Sequence, residues 1–103
     1  MEISLNELMS IAAAKPLSHS WRIGQCYLIR ATYHHIGRLV AVTDTDLVLE
    51  GGGWLADSGR FSQCLASGTV NEFELCPPGP RIVSRADVID AFEWRHPLPT
   101  ETK

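Results

Sequence analysis

Tyr27-Leu28-Ile29-Arg30-Ala31-Thr32-Tyr33, His34-His35, Ile36-Gly37-Arg38-Leu39-Val40-Ala41-Val42-Thr43, Asp44-Thr45-Asp46 and Leu47-Val48-Leu49-Glu50 follow one another without interruption. Three runs rich in β-branched and aromatic residues are separated by short polar breaks, the pattern of successive antiparallel strands. Within residues 25–32, Tyr27, Ile29 and Ala31 share one face and Cys26, Leu28, Arg30 and Thr32 the other. A strand apolar on both faces needs cover on both, from a helix or from another subunit.

Working outward, Tyr33-His34-His35 reads as the first turn; its histidines are either solvated or, titrating near neutral pH, poised to sense pH or touch an anion. Gly37 inside the second strand marks a bulge or bend, and Arg38 follows it pointing outward. Asp44-Thr45-Asp46 reads as a turn held by its own aspartates; two carboxylates there are also a possible cation pair. Gly51-Gly52-Gly53 reads as a flexible or sharply bent end of the third strand. It is not a phosphate loop, because no helix with Lys and Ser or Thr follows.

Asp57-Ser58 reads as the cap of a short helix over 59–66, with Phe61, Cys64 and Leu65 at helical spacing and Gly68 at the terminating position. Ser58-Gly59-Arg60 is a candidate anion nest at its start. Residues 70–75 alternate as a strand, Pro77-Pro78-Gly79-Pro80 breaks the chain, and Arg81-Ile82-Val83-Ser84 starts another strand. Ser84-Arg85-Ala86-Asp87 is a tight turn or a capping box, and a sheet that must close selects a last strand at Val88–Trp94. At the front, Ser4 and Glu7 form a capping box for an amphipathic helix over Leu5–Ala14 with Leu5, Leu8, Met9 and Ala12 on one stripe.

The expected fold is therefore mainly β with short helices (α+β). It is a five- to six-stranded antiparallel small barrel with an N-terminal helix and a helical insertion. A single domain over residues 1–99 precedes a loose tail at 100–103. The 103 residues are 45% hydrophobic and 20% charged, ordinary for a globular domain.

Composition also narrows function. A net charge of −3 argues against strong non-specific DNA binding. No apolar run approaches the roughly 18 residues that span a bilayer, and Glu2 stands where a signal peptide is basic, so a cytoplasmic location is expected. Cys26, Cys64 and Cys76 are too few and too scattered for a disulfide framework. Cys26 with His34 and His35 is an incomplete zinc set lacking a close cysteine pair. No cofactor is implied. No nucleophile–base motif or carboxylate pair stands out, so a non-enzymatic protein is expected.

Gly37-x-Leu39, the following Asp44, and Ile82-Val83-Ser84-Arg85 before Val88-Ile89 resemble the two motifs of the Sm-like, SH3-like small barrels. The likeness runs from about Leu5 to Phe92. It implies a ring-forming binding protein, with RNA or a nucleotide as ligand. The aspartate is displaced by one position, Ser84-Arg85 replaces the family's Arg-Gly, no counterpart of its RNA-contacting Asn is present, and residues 51–68 are an insertion. The chain also resembles small proteins of bacterial genomes and prophages, which implies a structural or adaptor part of a phage assembly as the alternative. Candidate ligand residues are Tyr33, His34 and Arg38 from one region, Ser58, Gly59 and Arg60 from the insertion, and Arg85. Aromatics beside arginines suit base stacking and phosphate contact. The expected partner is a second copy of the chain.

Overall fold

Residue parity in the first strand dictates the architecture. In the computed structural model, which describes residues 21–103, Leu28 is buried on one face of β1 (Cys26–Arg30) and Tyr27 and Ile29 on the other. Each face nucleates its own core. Leu28 joins Ile36, Leu55, Cys64, Val70, Phe73 and Trp94. Tyr27 and Ile29 join Leu39, Leu47, Leu49 and Val83, with Trp21, Val88 and Ala91 at the margin.

β1 pairs antiparallel with β2 (His34–Val42), and β2 with β3 (Asp46–Asp57), completing the expected meander. The remaining elements are α1 (Phe61–Ser67), β4 (Glu72–Leu75), β5 (Arg81–Ser84), a 3-10 turn at Arg85–Asp87 and β6 (Asp90–Glu93). The order β4-β3-β2-β1-β6 forms one sheet, with β5 also pairing β3. The expected last strand is thus present, shortened to Asp90–Glu93, and a 3-10 turn takes the place of the capping box.

The fold is mainly antiparallel sheet, as expected, but the barrel is not closed. β5 pairs with the first half of β3 and β6 with β1, and among the described residues no ladder joins β5 to β6. Four-residue strands at opposite ends of the sheet, diverging around the 3-10 turn, leave nothing to close it.

Three local readings change as well. The glycines do not end the third strand: β3 runs through them to Asp57. Gly51 and Gly52 adopt positive φ (73° and 66°), which bends the strand. Before the bend β3 pairs with β5, and after it with β4, along the same edge. A register shift between Ile36 and Arg38 brackets Gly37, as its place in the strand suggested. His34 and His35 do not form the turn; they open β2, and the turn is residues 31–33. Finally, Thr43 rather than an aspartate organises the β2–β3 turn, its Oγ1 accepting from the Asp46 amide at 2.9 Å.

α1 begins one residue after Arg60, whose backbone is extended and whose side chain makes no capping bond. The expected Asp57-Ser58 cap is instead a tight turn, with the Gly59 amide donating to Asp57 Oδ1. Gly68 ends the helix in the left-handed conformation, as expected. At the C-terminus, Lys103 and Phe73 exchange two backbone hydrogen bonds of 2.8 and 3.0 Å, and the Leu75 amide donates to Thr102 Oγ1, so residues 102–103 lie along the outer edge of β4. The helix expected over Leu5–Ala14 falls outside the described residues.

A Cβ at Gly53 would stand 2.1 Å from the Glu74 carbonyl and 2.8 Å from the Cys76 amide. Gly53→Ala therefore has to spread β3 from β4, and urea unfolding is expected to show a loss of about 2 to 3 kcal/mol. Removing residues 100–103 frees two amides of β4. Hydrogen exchange at Phe73 and Leu75 is expected to accelerate by about fivefold or more, as loss of a hydrogen bond of about 1 kcal/mol allows.

Candidate functional site

One row of side chains crosses the sheet on the face of the second core. Register pairs Ala91 with Ile29, Ile29 with His35, His35 with Trp54 and Trp54 with Glu74, so the five side chains project from the same face. The row leaves the core as it goes. Ile29 is fully buried, His35 half-buried, and Trp54 is 41% exposed.

Tyr33, from the β1–β2 turn, lies flat on Trp54, with ring centroids 4.9 Å apart and planes 13° from parallel. Tyr33 is itself 60% exposed. His35 meets the same indole edge-on at 6.4 Å. The turn that presents Tyr33 is held by Asp87, which accepts from the Thr32 amide at 3.0 Å and from its hydroxyl at 2.6 Å. Those bonds hold the Asp87 carboxyl below its ordinary range. The platform is thus fixed by the 3-10 turn on one side and by β3 on the other.

Close to His35 is Arg81, from β5. Its Nη1 donates to the Gly51 carbonyl at 2.8 Å and its Nη2 to the Ile36 carbonyl at 3.2 Å. Burial lowers its pKa, opposed by the nearby Cys76. Burial, with the Arg81 charge alongside, pushes His35 down to about 4, so the imidazole is neutral at pH 7. Two buried nitrogens here, His35 Nδ1 and Arg81 Nε, have no hydrogen-bond partner.

The candidate residues named from sequence do not form one site. Tyr33 joins the platform and His34 opens the adjoining strand. Arg38 is exposed and pairs in register with Cys26, on the opposite face from Trp54. Ser58 and Gly59 bond each other in the turn before α1, with Ser58 Oγ donating to the Gly59 carbonyl at 2.8 Å, and Arg60 follows. α1 covers the opposite core through Phe61, Cys64 and Leu65. Arg85 donates to the Thr43 carbonyl at 2.6 Å, at the β2–β3 turn. Sequence reading missed Trp54, His35 as a member of the row, and Arg81. The signal for Trp54 was its separation of two from the Gly51-Gly52 bend, legible only once β3 is known to continue.

Cys64 is fully buried and burial pushes its thiol up, which disfavours a thiolate nucleophile. Among the described residues no three His, Cys, Asp or Glu side chains are grouped to hold a metal, so Cys26, His34 and His35 do not converge. None of the described helices is long and apolar enough to cross a membrane.

No protein-family model, curated protein or solved structure matches the chain.

His35 titrates lower folded than unfolded, so the unfolded chain takes up its proton first. The stability His35 confers is full above its ordinary value near 6.5 and is lost as pH falls from there towards about 4. Urea unfolding between pH 7.5 and 4.5 is expected to show that decline, and His35→Gln to flatten it.

Proposed function

We propose that the chain is a non-enzymatic, homo-oligomeric binding protein that stacks a planar base, of a nucleotide or of RNA, on the Tyr33–Trp54 platform. The observation that carries this reading is the parallel stack of two exposed aromatic rings. Folding drives large aromatic surfaces inward, and a flat pair left open to solvent is the shape on which bases stack.

The Sm-like resemblance belongs to the same reading, in an open sheet rather than a closed barrel. It is supported by the three-strand meander and the short turn that joins β5 to β6. Self-association is supported by β5. It pairs with β3 on one side, no described strand pairs with its other edge, and its Ile82 is 72% exposed. An open edge carrying an apolar side chain is a surface that another copy can cover.

Two measurements check the proposal. Adenosine and a short RNA are expected to quench tryptophan fluorescence saturably, Tyr33→Ala to weaken binding by about tenfold, the effect of losing one base–aromatic stack, and Trp54→Ala to weaken it by removing the ring that holds Tyr33 in place. An unsaturable response, or variants that bind like the parent, would remove the ligand. A clean monomer at micromolar concentration in light scattering would remove the oligomer.

A further inference from the structure

We infer that the platform selects its ring by charge, taking a cationic planar heterocycle ahead of a neutral one and a neutral one ahead of an anion. The inference rests on the stacking reading above and adds a ligand class to it.

The first ground is the rings themselves. The faces of Tyr33 and Trp54 are negative, and a cation over such a face is attracted by the ring quadrupole. The second is Glu74. It lies directly across the β3–β4 ladder from Trp54, on the same face, with Cβ atoms about 5 Å apart as such pairs require. Glu74 is exposed, and no described basic side chain pairs with it. Among the described residues, its carboxylate therefore stands beside the indole without a cationic partner.

The third ground is where the positive charges are. Arg30 is held bidentately by Asp90, with both contacts at 2.6 Å. Arg95 pairs with Glu93, which Arg22 also faces, and Arg85 is tied down at the far turn. Arg38 and Arg60 lie on the side of the other core. Lys103 pairs through its backbone with Phe73, whose side chain enters that same core. Arg81 keeps its charge, but it is half-buried and its Nη atoms donate to the Gly51 and Ile36 carbonyls, so it offers them to no ring at the surface. His35 brings no charge at neutral pH. Among the described residues, an anionic ring would thus meet Glu74 with no solvent-facing cation on that face to offset it.

Three near-isosteric rings test this: 1-methylnicotinamide, methylated on the ring nitrogen, as the pyridinium cation, nicotinamide as the neutral ring and nicotinate as the anion. Binding is followed at low salt by the indole N–H resonance of Trp54, assigned by its absence in Trp54→Phe. The cation is expected to bind about fivefold more tightly than the neutral ring, the scale of an exposed cation–π contact assisted by a carboxylate, with the anion weakest. Glu74→Gln is expected to bring cation and neutral ring within about twofold, and raising salt to about 0.5 M to do the same. Nicotinate binding as tightly as the cation, or a cation preference unchanged by Glu74→Gln, overturns the charge selection while leaving the stacking platform intact. If none of the three rings moves the Trp54 resonance, the platform itself is wrong and the selection falls with it.

Discussion

The guanidinium of Arg81 seated on two backbone carbonyls is the contact on which the rest of the sheet depends. β3 has to serve β5 and β4 along one edge, and it does so by bending at Gly51 and Gly52. A bend of that kind turns carbonyls out of the ladder; at buried Ile36 a carbonyl without a donor is costly, while exposed Gly51 is also open to water. Arg81 supplies the donors: Nη1 to Gly51 and Nη2 to Ile36. Gly37 is the residue that makes room, since a Cβ there would lie 2.8 Å from Nη2. Gly52 meets the same constraint from the other side, its missing Cβ lying 2.0 Å from the Ile36 carbonyl. The arrangement fixes both the direction in which β3 resumes and the face on which Trp54 emerges.

Around that bend the sheet solves its two-sided problem without closing. α1 and Trp94 cover Leu28 and Ile36, while Val83, Val88 and Ala91, carried by β5, the 3-10 turn and β6, cover Tyr27 and Ile29. Once each face has its own lid, the hydrophobic drive that would bring β5 and β6 together is already satisfied. The bidentate Arg30–Asp90 pair and the Thr32–Asp87 bonds then anchor the β5–β6 connection to β1 and its turn. Both are polar and at least partly exposed, so they serve orientation more than stability.

The meander was legible because its signal is local. Alternation within residues 25–32 and 36–43 survives any tertiary context, and Gly68 ends α1 for a reason that is likewise local. What escaped reading depended on partners distant in sequence. The glycines looked like a strand end because glycine weakens strands; only Arg81, 30 residues away from Gly51, turns them into a bend. Closure was expected from the small-barrel resemblance and the glycine bend at Gly37, yet neither says which edge β5 and β6 choose. For the site, Tyr33 was recognisable as an aromatic at a turn, but its partner Trp54 was hidden behind that glycine bend. Arg38 was grouped with Tyr33 by nearness in sequence, whereas a strand sends alternate side chains to opposite faces.

The tryptophans make the argument for the platform from within the chain. Trp94 is 2% exposed and its indole nitrogen donates to the Pro97 carbonyl at 3.2 Å, the arrangement expected of a core indole. Trp21 is half-buried edge-on against Tyr27, with centroids 5.2 Å apart. Trp54 is stacked flat under a ring more exposed than itself, and it sits in the one row that runs from the core out to an acidic edge. A Tyr–Trp stack of this kind steadies the β1–β2 turn against β3, which accounts for the contact between the rings. It does not account for the outer face of Tyr33, which contributes nothing to the turn and remains open. That open face, rather than the stack, is what a ligand would use.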